Sequence, residues 1–214
     1  MIVGIVLQFE SVNDEYYTCD FKICADGAGQ HLSLHPNIVI GDLDSFKFLS
    51  EATVVEQENK FGGLTRRIDD TLIIHNPCQD TTDFQKCLDY IQGLSDVTEI
   101  RIFGGLSGRF DHTISVLHTL QKYSTNSPVI LHNKSNTLFV LDKGIHNMLL
   151  SDFENCSVGL FAITPTHVKT SGLVWDMDAE IQLGDFISSS NKLKSNGTID
   201  CKGKCFLVRS RLQL

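Results

Sequence analysis

The chain has 214 residues, 42% apolar and 21% charged, with only four prolines and sixteen glycines, which excludes the fibrous, low-complexity and disordered classes. Its 18 basic and 26 acidic side chains leave a formal charge of −8, which argues against a nucleic-acid partner because no face gathers the basic groups. Seven cysteines without a C-x-x-C pair indicate neither a disulfide framework nor a zinc site and fit reduced thiols in the cytoplasm.

Residues 2–9 (IVGIVLQF) form an apolar run with no basic region before it and no cleavage site after it, so they read as a first strand rather than a signal peptide. No apolar run approaches the ~20 residues that span a bilayer, so no membrane partner is expected. Further strands are predicted at 21–25, 37–40, 53–56, 71–75 and 99–103, each rich in Ile, Val, Leu or Phe. Residues 57–70 are polar, contain Gly62 and Gly63, and read as an exposed loop carrying the solvated pair Arg66 and Arg67.

A helix is predicted after Thr82, an N-cap, because Phe84, Cys87, Leu88 and Ile91 recur at the spacing of one buried stripe. A second helix begins near Asp111, with Ile114 and Leu117 expected to face inward. Strands alternating with helices predict an α/β domain with a mainly parallel sheet.

Past Ser124 the runs 129–132, 137–141, 157–163, 180–183 and 206–209 follow one another without helical periodicity. They predict an all-β antiparallel C-terminal domain of sandwich or barrel type. The Ser, Thr, Asn and Pro cluster at 123–128 places the boundary, giving domains 1–125 and 126–214. Cys201 and Cys205 flank Lys-Gly-Lys in what reads as a hairpin.

The informative feature is the placement of aspartates, since Asp26, Asp42 and Asp44 follow predicted strands while Asp83 and Asp111 stand at predicted helix starts. Ligands of open α/β sheets bind at the carboxyl ends of strands. In Gly41-Asp42-Leu43-Asp44-Ser45 the two carboxylates converge if the chain turns, and convergent hard oxygens bind Mg²⁺. Capping of residues 45–50 by the same aspartates is the plainer reading of this pair alone. The turn 104–112, GGLSGRFDH, sits between a strand and a helix, where glycines such as Gly108 let backbone N–H groups approach phosphate and Arg109 offers a fork of donors. An ordinary strand-to-helix turn explains the glycines equally well.

Together, ADG at 25–27, IGDLDS at 40–45, QDTTDFQKCL at 79–88 and GGLSGRFDH at 104–112, followed by TSGLVWDM at 170–177 and SSSN at 188–191, resemble the thiamine pyrophosphokinase family. The resemblance implies ATP and thiamine as substrates, AMP and thiamine diphosphate as products, Mg²⁺, and a homodimer with active sites at the subunit interface. By position it implies a metal and pyrophosphate centre of Asp42, Asp44 and Asp83, with Asp26 and Asp111 close by. It further implies Gln79 and Thr82 lining the cleft and Lys86 neutralising phosphate. Trp175 would stack on thiamine, with Ser188 and Asn191 as polar contacts beside it; a lone tryptophan in a β domain otherwise reads as core.

Two departures from the family pattern stand out: ADGAGQ, with Gln30, where ADGGAN is usual, and Cys78 where an acidic residue commonly precedes Gln79-Asp80. The implied reaction is attack of the thiamine hydroxyl on the β-phosphorus of ATP. Arg109 or Lys86 would offset charge, and Asp83 or Asp111 would take the proton. Competing readings are a Mg²⁺-dependent phosphohydrolase with Asp42 as nucleophile, and a thiamine-binding module without catalysis.

Overall fold

A computed structural model describes residues 1–7, 12–45, 57–58, 60, 62–106 and 108–211. Their contacts divide the chain into two units, Met1–Asn133 and Lys134–Leu214.

The first unit is built on a mixed, mostly parallel sheet. Its strands are β1 (Ile2–Val6), β2 (Phe21–Ala25), β3 (Ile38–Gly41), β4 (Gln57–Glu58), β5 (Leu64–Ile68), β6 (Thr71–His75), β7 (Glu99–Phe103) and β8 (Val129–His132). The order across the sheet is β8-β7-β1-β2-β3-β6-β5-β4. Pairing is parallel from β8 to β6 and antiparallel for β6–β5 and β5–β4. Val3, Ile5, Val6, Ile23, Val39, Ile40, Ile100 and Ile102 are all buried, as expected of strands in the middle of a parallel sheet.

Among the described residues the α-helices are two single turns, α1 (Asp14–Tyr17) and α2 (Asp26–Gly29), and two longer ones, α3 (Asp83–Ile91) and α4 (Phe110–Lys122). Thr82 caps α3, its side chain accepting from the Gln85 N–H, and Phe84, Cys87, Leu88 and Ile91 are buried. Each such apolar side chain contributes about 1.5–3 kcal/mol when fully buried. Gly29 belongs to the departure ADGAGQ, and a Cβ there would collide with Val39, so this chain needs its glycine at that position.

Four sequence expectations change in this unit. The described residues of the stretch 57–70 are not a simple loop, because β4 and β5 form a ribbon running antiparallel from β6. Its pairing is carried by backbone groups, which a polar sequence hides. On α4 the buried residues are Val116, Thr119 and Leu120, while Ile114 is 50% exposed and Leu117 only half-buried, so the inward stripe lies further round the helix. Residues 129–132 were expected to open the β domain, but β8 pairs in parallel with β7, from Ile100↔Val129 to Phe103↔His132, and completes the first sheet. The division therefore falls after Asn133 rather than after residue 125. The strand expected at 53–56, and positions 8–9 of the first, lie outside the described residues.

The second unit consists of antiparallel strands β9 (Asn136–Leu141), β10 (Gly144–Met148), β11 (Cys156–Phe161), β12 (Thr166–Leu173), β13 (Asp178–Ile181), β14 (Ser188–Asn191), β15 (Leu193–Cys201) and β16 (Cys205–Arg211). One group runs β14-β11-β16-β9 and the other β10-β15-β12-β13. Leu141, Val158, Leu160 and Leu207 from the first and Met148, Val168, Ile181 and Ile199 from the second share one apolar cluster. The expected antiparallel β domain is present. The Lys-Gly-Lys turn is not a hairpin, however, since β15 and β16 pair in different groups and the turn carries the chain between them. Cys201 and Cys205 are buried there with sulfurs 2.9 Å apart. Among the described residues no helix is long and apolar enough to cross a membrane.

Candidate active site

Strand adjacency in the first unit brings three aspartates together. Asp26 opens α2 directly after β2, Asp42 follows β3, and Asp83 opens α3. One carboxylate oxygen from each lies within 4.8 Å of the others. Gly41 makes the space, since a Cβ there would sit 2.5 Å from the Asp26 Cβ and 3.1 Å from the Asp83 Cγ and Oδ1. Sequence reasoning did not single out this glycine, although a glycine between an apolar strand and D-x-D was a usable signal.

Asp26 is 1% exposed; its Oδ2 accepts from the Ser45 N–H at 3.0 Å, and its Oδ1 is buried without a hydrogen-bond partner. Burial, with the charges of Asp83, Asp44 and Asp42 adding to it, pushes the Asp26 carboxyl up to about 6 despite the Ser45 bond. Asp42 is shifted the other way, chiefly by the Gln79 amide, which donates to its Oδ2 at 2.9 Å. Crowded carboxylates around an unpartnered buried oxygen, with space kept by a glycine, form a hard-oxygen set that fits Mg²⁺.

The remaining expected residues divide. Leu43, at φ 61°, turns the chain between the two aspartates, a left-handed conformation unusual for leucine. Beyond it Asp44 is exposed and accepts from the Ser45 hydroxyl at 2.8 Å; its carboxylate stands outside the group of three. Lys86 is not a solvated lysine: it is 2% exposed and donates to Asp83 Oδ1 at 3.0 Å, so its charge is already engaged by a carboxylate of the group. Arg109 and Asp111 are exposed and bind each other at 2.5 Å. Gly108 has φ 80°, as the turn before α4 requires.

Beside the carboxylates lies a cavity of about 330 Å³, lined by Gly27, Ser45, Thr82, Asp83, Gly105 and His112 among others, with Leu7, Phe84 and Val116 as apolar wall. Thr82 was an expected lining residue. His112 and Ser115 were not given roles from the sequence, though both follow the glycine-rich turn on α4. Cys78 is exposed, and a hydrogen bond with Thr81 lowers its thiol.

In the second unit Trp175 is 64% exposed and therefore not core. Asn191 is 1% exposed, and its amide is taken up by its own chain. Its Oδ1 accepts from the N–H groups of Trp175 (3.2 Å) and Lys192 (2.9 Å). Its Nδ2 donates to the Trp175 carbonyl (2.8 Å) and to Ser188 Oγ (3.3 Å). On the other side of the turn, Asp176 Oδ1 accepts from the Leu173 N–H at 3.0 Å and from the Thr170 hydroxyl at 3.3 Å. Where β12 crosses β15, Gly172 (φ 86°) faces Gly197: a Cβ on the first would lie 2.7 Å from the Cα of the second, and one on the second would collide with the Ser171 carbonyl. The geometry expected of Asn191, a polar group offered to a ligand, is thus replaced by a buried amide that holds the tryptophan backbone.

Fold and site define a two-part protein, an α/β unit with three aspartates gathered at the carboxyl ends of parallel strands, followed by an antiparallel β unit. Residues 12–132 match the thiamin pyrophosphokinase catalytic domain and residues 145–205 the thiamin pyrophosphokinase vitamin B1 binding domain. The chain belongs to the thiamin pyrophosphokinase family. It is 33% identical over 168 residues to thiamine pyrophosphokinase 1 of Arabidopsis thaliana, covering 74% of this chain and 59% of that protein. To thiamin pyrophosphokinase 1 of Caenorhabditis elegans it is 26% identical over 194 residues, covering 82% and 72%. The chain thus spans 59% of the length of that plant relative. The fold matches that of the thiamine pyrophosphokinase of Bacillus subtilis with a TM-score of 0.77 at 21% identity, covering 100% of both chains.

Proposed function

We propose that this chain transfers a pyrophosphoryl group from ATP to the hydroxyl of thiamine, giving thiamine diphosphate and AMP. The observation that carries the reading is the group Asp26, Asp42 and Asp83, gathered around a buried unpartnered oxygen beside a cavity at the strand ends. Mg²⁺ bound there would neutralise phosphate oxygens and polarise the β-phosphorus. Asp42 and Asp83 would hold it with Asp26, a third ligand in place of the Asp44 expected from the sequence.

The thiamine oxygen forms a bond to the β-phosphorus while the bond from that phosphorus to the α–β bridging oxygen breaks, and the electron pair leaves with AMP. Asp83 is favoured over Asp111 to take the hydroxyl proton because it lines the cavity and Asp111 does not, each being paired with a cation, Lys86 and Arg109 respectively. The glycine-rich turn and the start of α4 would receive phosphate, and Trp175 would stack on the cationic ring.

A homodimer with its active sites at the subunit interface belongs to this reading. Exposed Phe110 and Ile114 on α4, and Leu183, Phe186 and Ile187 in the β unit, are apolar surfaces that such an assembly would cover. Free cysteines throughout fit a cytoplasmic setting.

The test is to incubate the chain with ATP, Mg²⁺ and thiamine and to identify both products. AMP together with thiamine diphosphate is the expected result; ADP or free phosphate would replace the reading with another phosphoryl transfer or a hydrolysis. Sedimentation at assay dilution should show a dimer, and a fully active monomer would remove the interface.

A further inference from the structure

The chain has one tryptophan, and its surroundings are the reverse of those expected for an exposed aromatic. The side chain of Trp175 is 64% exposed, yet its backbone N–H and C=O are both bound by a side chain that is 1% exposed. An amide has two hydrogens and two principal acceptor directions, and Asn191 spends all four inside the protein, on Trp175, Lys192 and Ser188. Nothing is left over for a ligand.

We propose that Asn191 is a positioning residue, holding the turn that carries Trp175 so that the indole is presented, already ordered, as the stacking surface for a cationic heterocycle. This rests on the thiamine reading for the identity of the ligand, but the clamp itself rests on geometry alone. Asn191 acts toward Trp175 as a neighbouring strand would, accepting from its N–H and donating to its C=O. Asp176 holds the opposite side through the Leu173 N–H and the Thr170 hydroxyl, and the Val174 N–H donates to the Lys192 carbonyl at 2.8 Å.

The advantage is preorganisation. An exposed indole on a loose turn loses freedom when a ligand stacks on it, and that loss subtracts from affinity; a turn fixed beforehand has little left to lose. Asparagine suits the position because it is short and offers both a donor and an acceptor. Aspartate, of the same shape, accepts but cannot donate, and would face the Trp175 carbonyl with a lone pair.

The experiment uses the full chain and its single tryptophan as reporter. Without ligand, tryptophan anisotropy and acrylamide quenching are compared between the native chain and Asn191→Asp; thiamine and ATP are then titrated separately into each. The expected result is lower anisotropy and stronger quenching in the variant, with thiamine affinity reduced roughly five- to tenfold and ATP affinity unchanged. Ser188→Ala, which removes only one partner of the Asn191 amide, should shift the same readouts in the same direction by less, and decides the matter if Asn191→Asp fails to melt cooperatively. Thiamine binding to the native chain with indole mobility and affinity unaltered in both variants overturns the clamp. A native chain that binds no thiamine, while Asn191→Asp still loosens the indole, upholds the clamp and overturns the ligand reading instead.

Discussion

The side-chain amide of Gln79 donates to Asp42 Oδ2 at 2.9 Å, so a residue on the turn after β6 fixes one oxygen of a carboxylate at the end of β3. The bond leaves the other oxygen to receive the Asp44 N–H, at 3.4 Å, or a metal. Partners of this kind orient ligands, and losing them weakens metal binding by about tenfold or more. Gln79→Ala should accordingly lower Mg²⁺ affinity about tenfold in calorimetry while leaving the thermal midpoint of the metal-free protein nearly unchanged. Unaltered affinity would reduce Gln79 to a surface contact.

Gly41→Ala tests the space between the carboxylates. The added methyl would stand 2.5 Å from the Asp26 Cβ and 3.1 Å from Asp83 Oδ1, so the aspartates must part to admit it. Overpacking of this sort costs about 1–3 kcal/mol, and the separated carboxylates should no longer bind Mg²⁺ tightly. Thermal unfolding with and without Mg²⁺ reads both effects: a lower midpoint, and loss of the rise that Mg²⁺ gives the native chain. A variant that keeps the full rise would show that the three carboxylates do not share one ion.

Trp175→Ala should weaken thiamine binding by a few-fold to about thirtyfold and leave ATP binding unchanged, the range expected for loss of one cation–ring stack. Because the side chain is 64% exposed, the unfolding midpoint should barely move. A sharp fall in the midpoint, with both affinities dropping together, would make the residue structural.

The pH dependence of the tryptophan turn follows from Asp176. Burial raises its carboxyl, but the Leu173 N–H, the Lys194 ammonium and the Thr170 hydroxyl outweigh burial and bring it below the usual carboxylate range. A value depressed by folding contributes stability above the unfolded pKa of about 4, and that contribution disappears as pH falls through the folded value. Asp176→Asn should melt below the native chain near neutrality, with the gap closing as the pH is taken under about 4. A gap independent of pH would trace the effect to packing and not to charge.

How far the sequence could be read depended on which faces were wet. Strands β2, β6 and β7 were legible to the residue, because each is a five-residue segment dense in β-branched and aromatic side chains, FKICA, TLIIH and EIRIF. In the second unit β12 was missed: its buried residues include Thr166, Val168 and Thr170, and alternation between threonine and lysine hardly registers as apolar against polar. Strands β14 and β15 were hidden for the same reason, Ser188–Asn191 having no apolar side chain at all. At the site, the motif aspartates were visible, but their grouping depends on β2 lying beside β3, and sheet order is not written in spacing. That is why Asp26 was expected only nearby and Asp44 was expected in its place. Lys86 could have been anticipated, since i and i+3 on a helix are neighbours and Asp83 stands three residues before it.

The crossing of Gly172 and Gly197 limits how this protein can change over generations. Each glycine blocks a side chain on the other strand, so neither position can acquire one unless the two backbones first move apart. A substitution at either place drives its Cβ into the opposite backbone, and substituting the second glycine does not relieve the first. Neighbouring Lys192 and Ser195 have exposed side chains and tolerate change. Descendants of this chain should therefore diverge around an unchanging pair of glycines, with the tryptophan turn inherited as a unit.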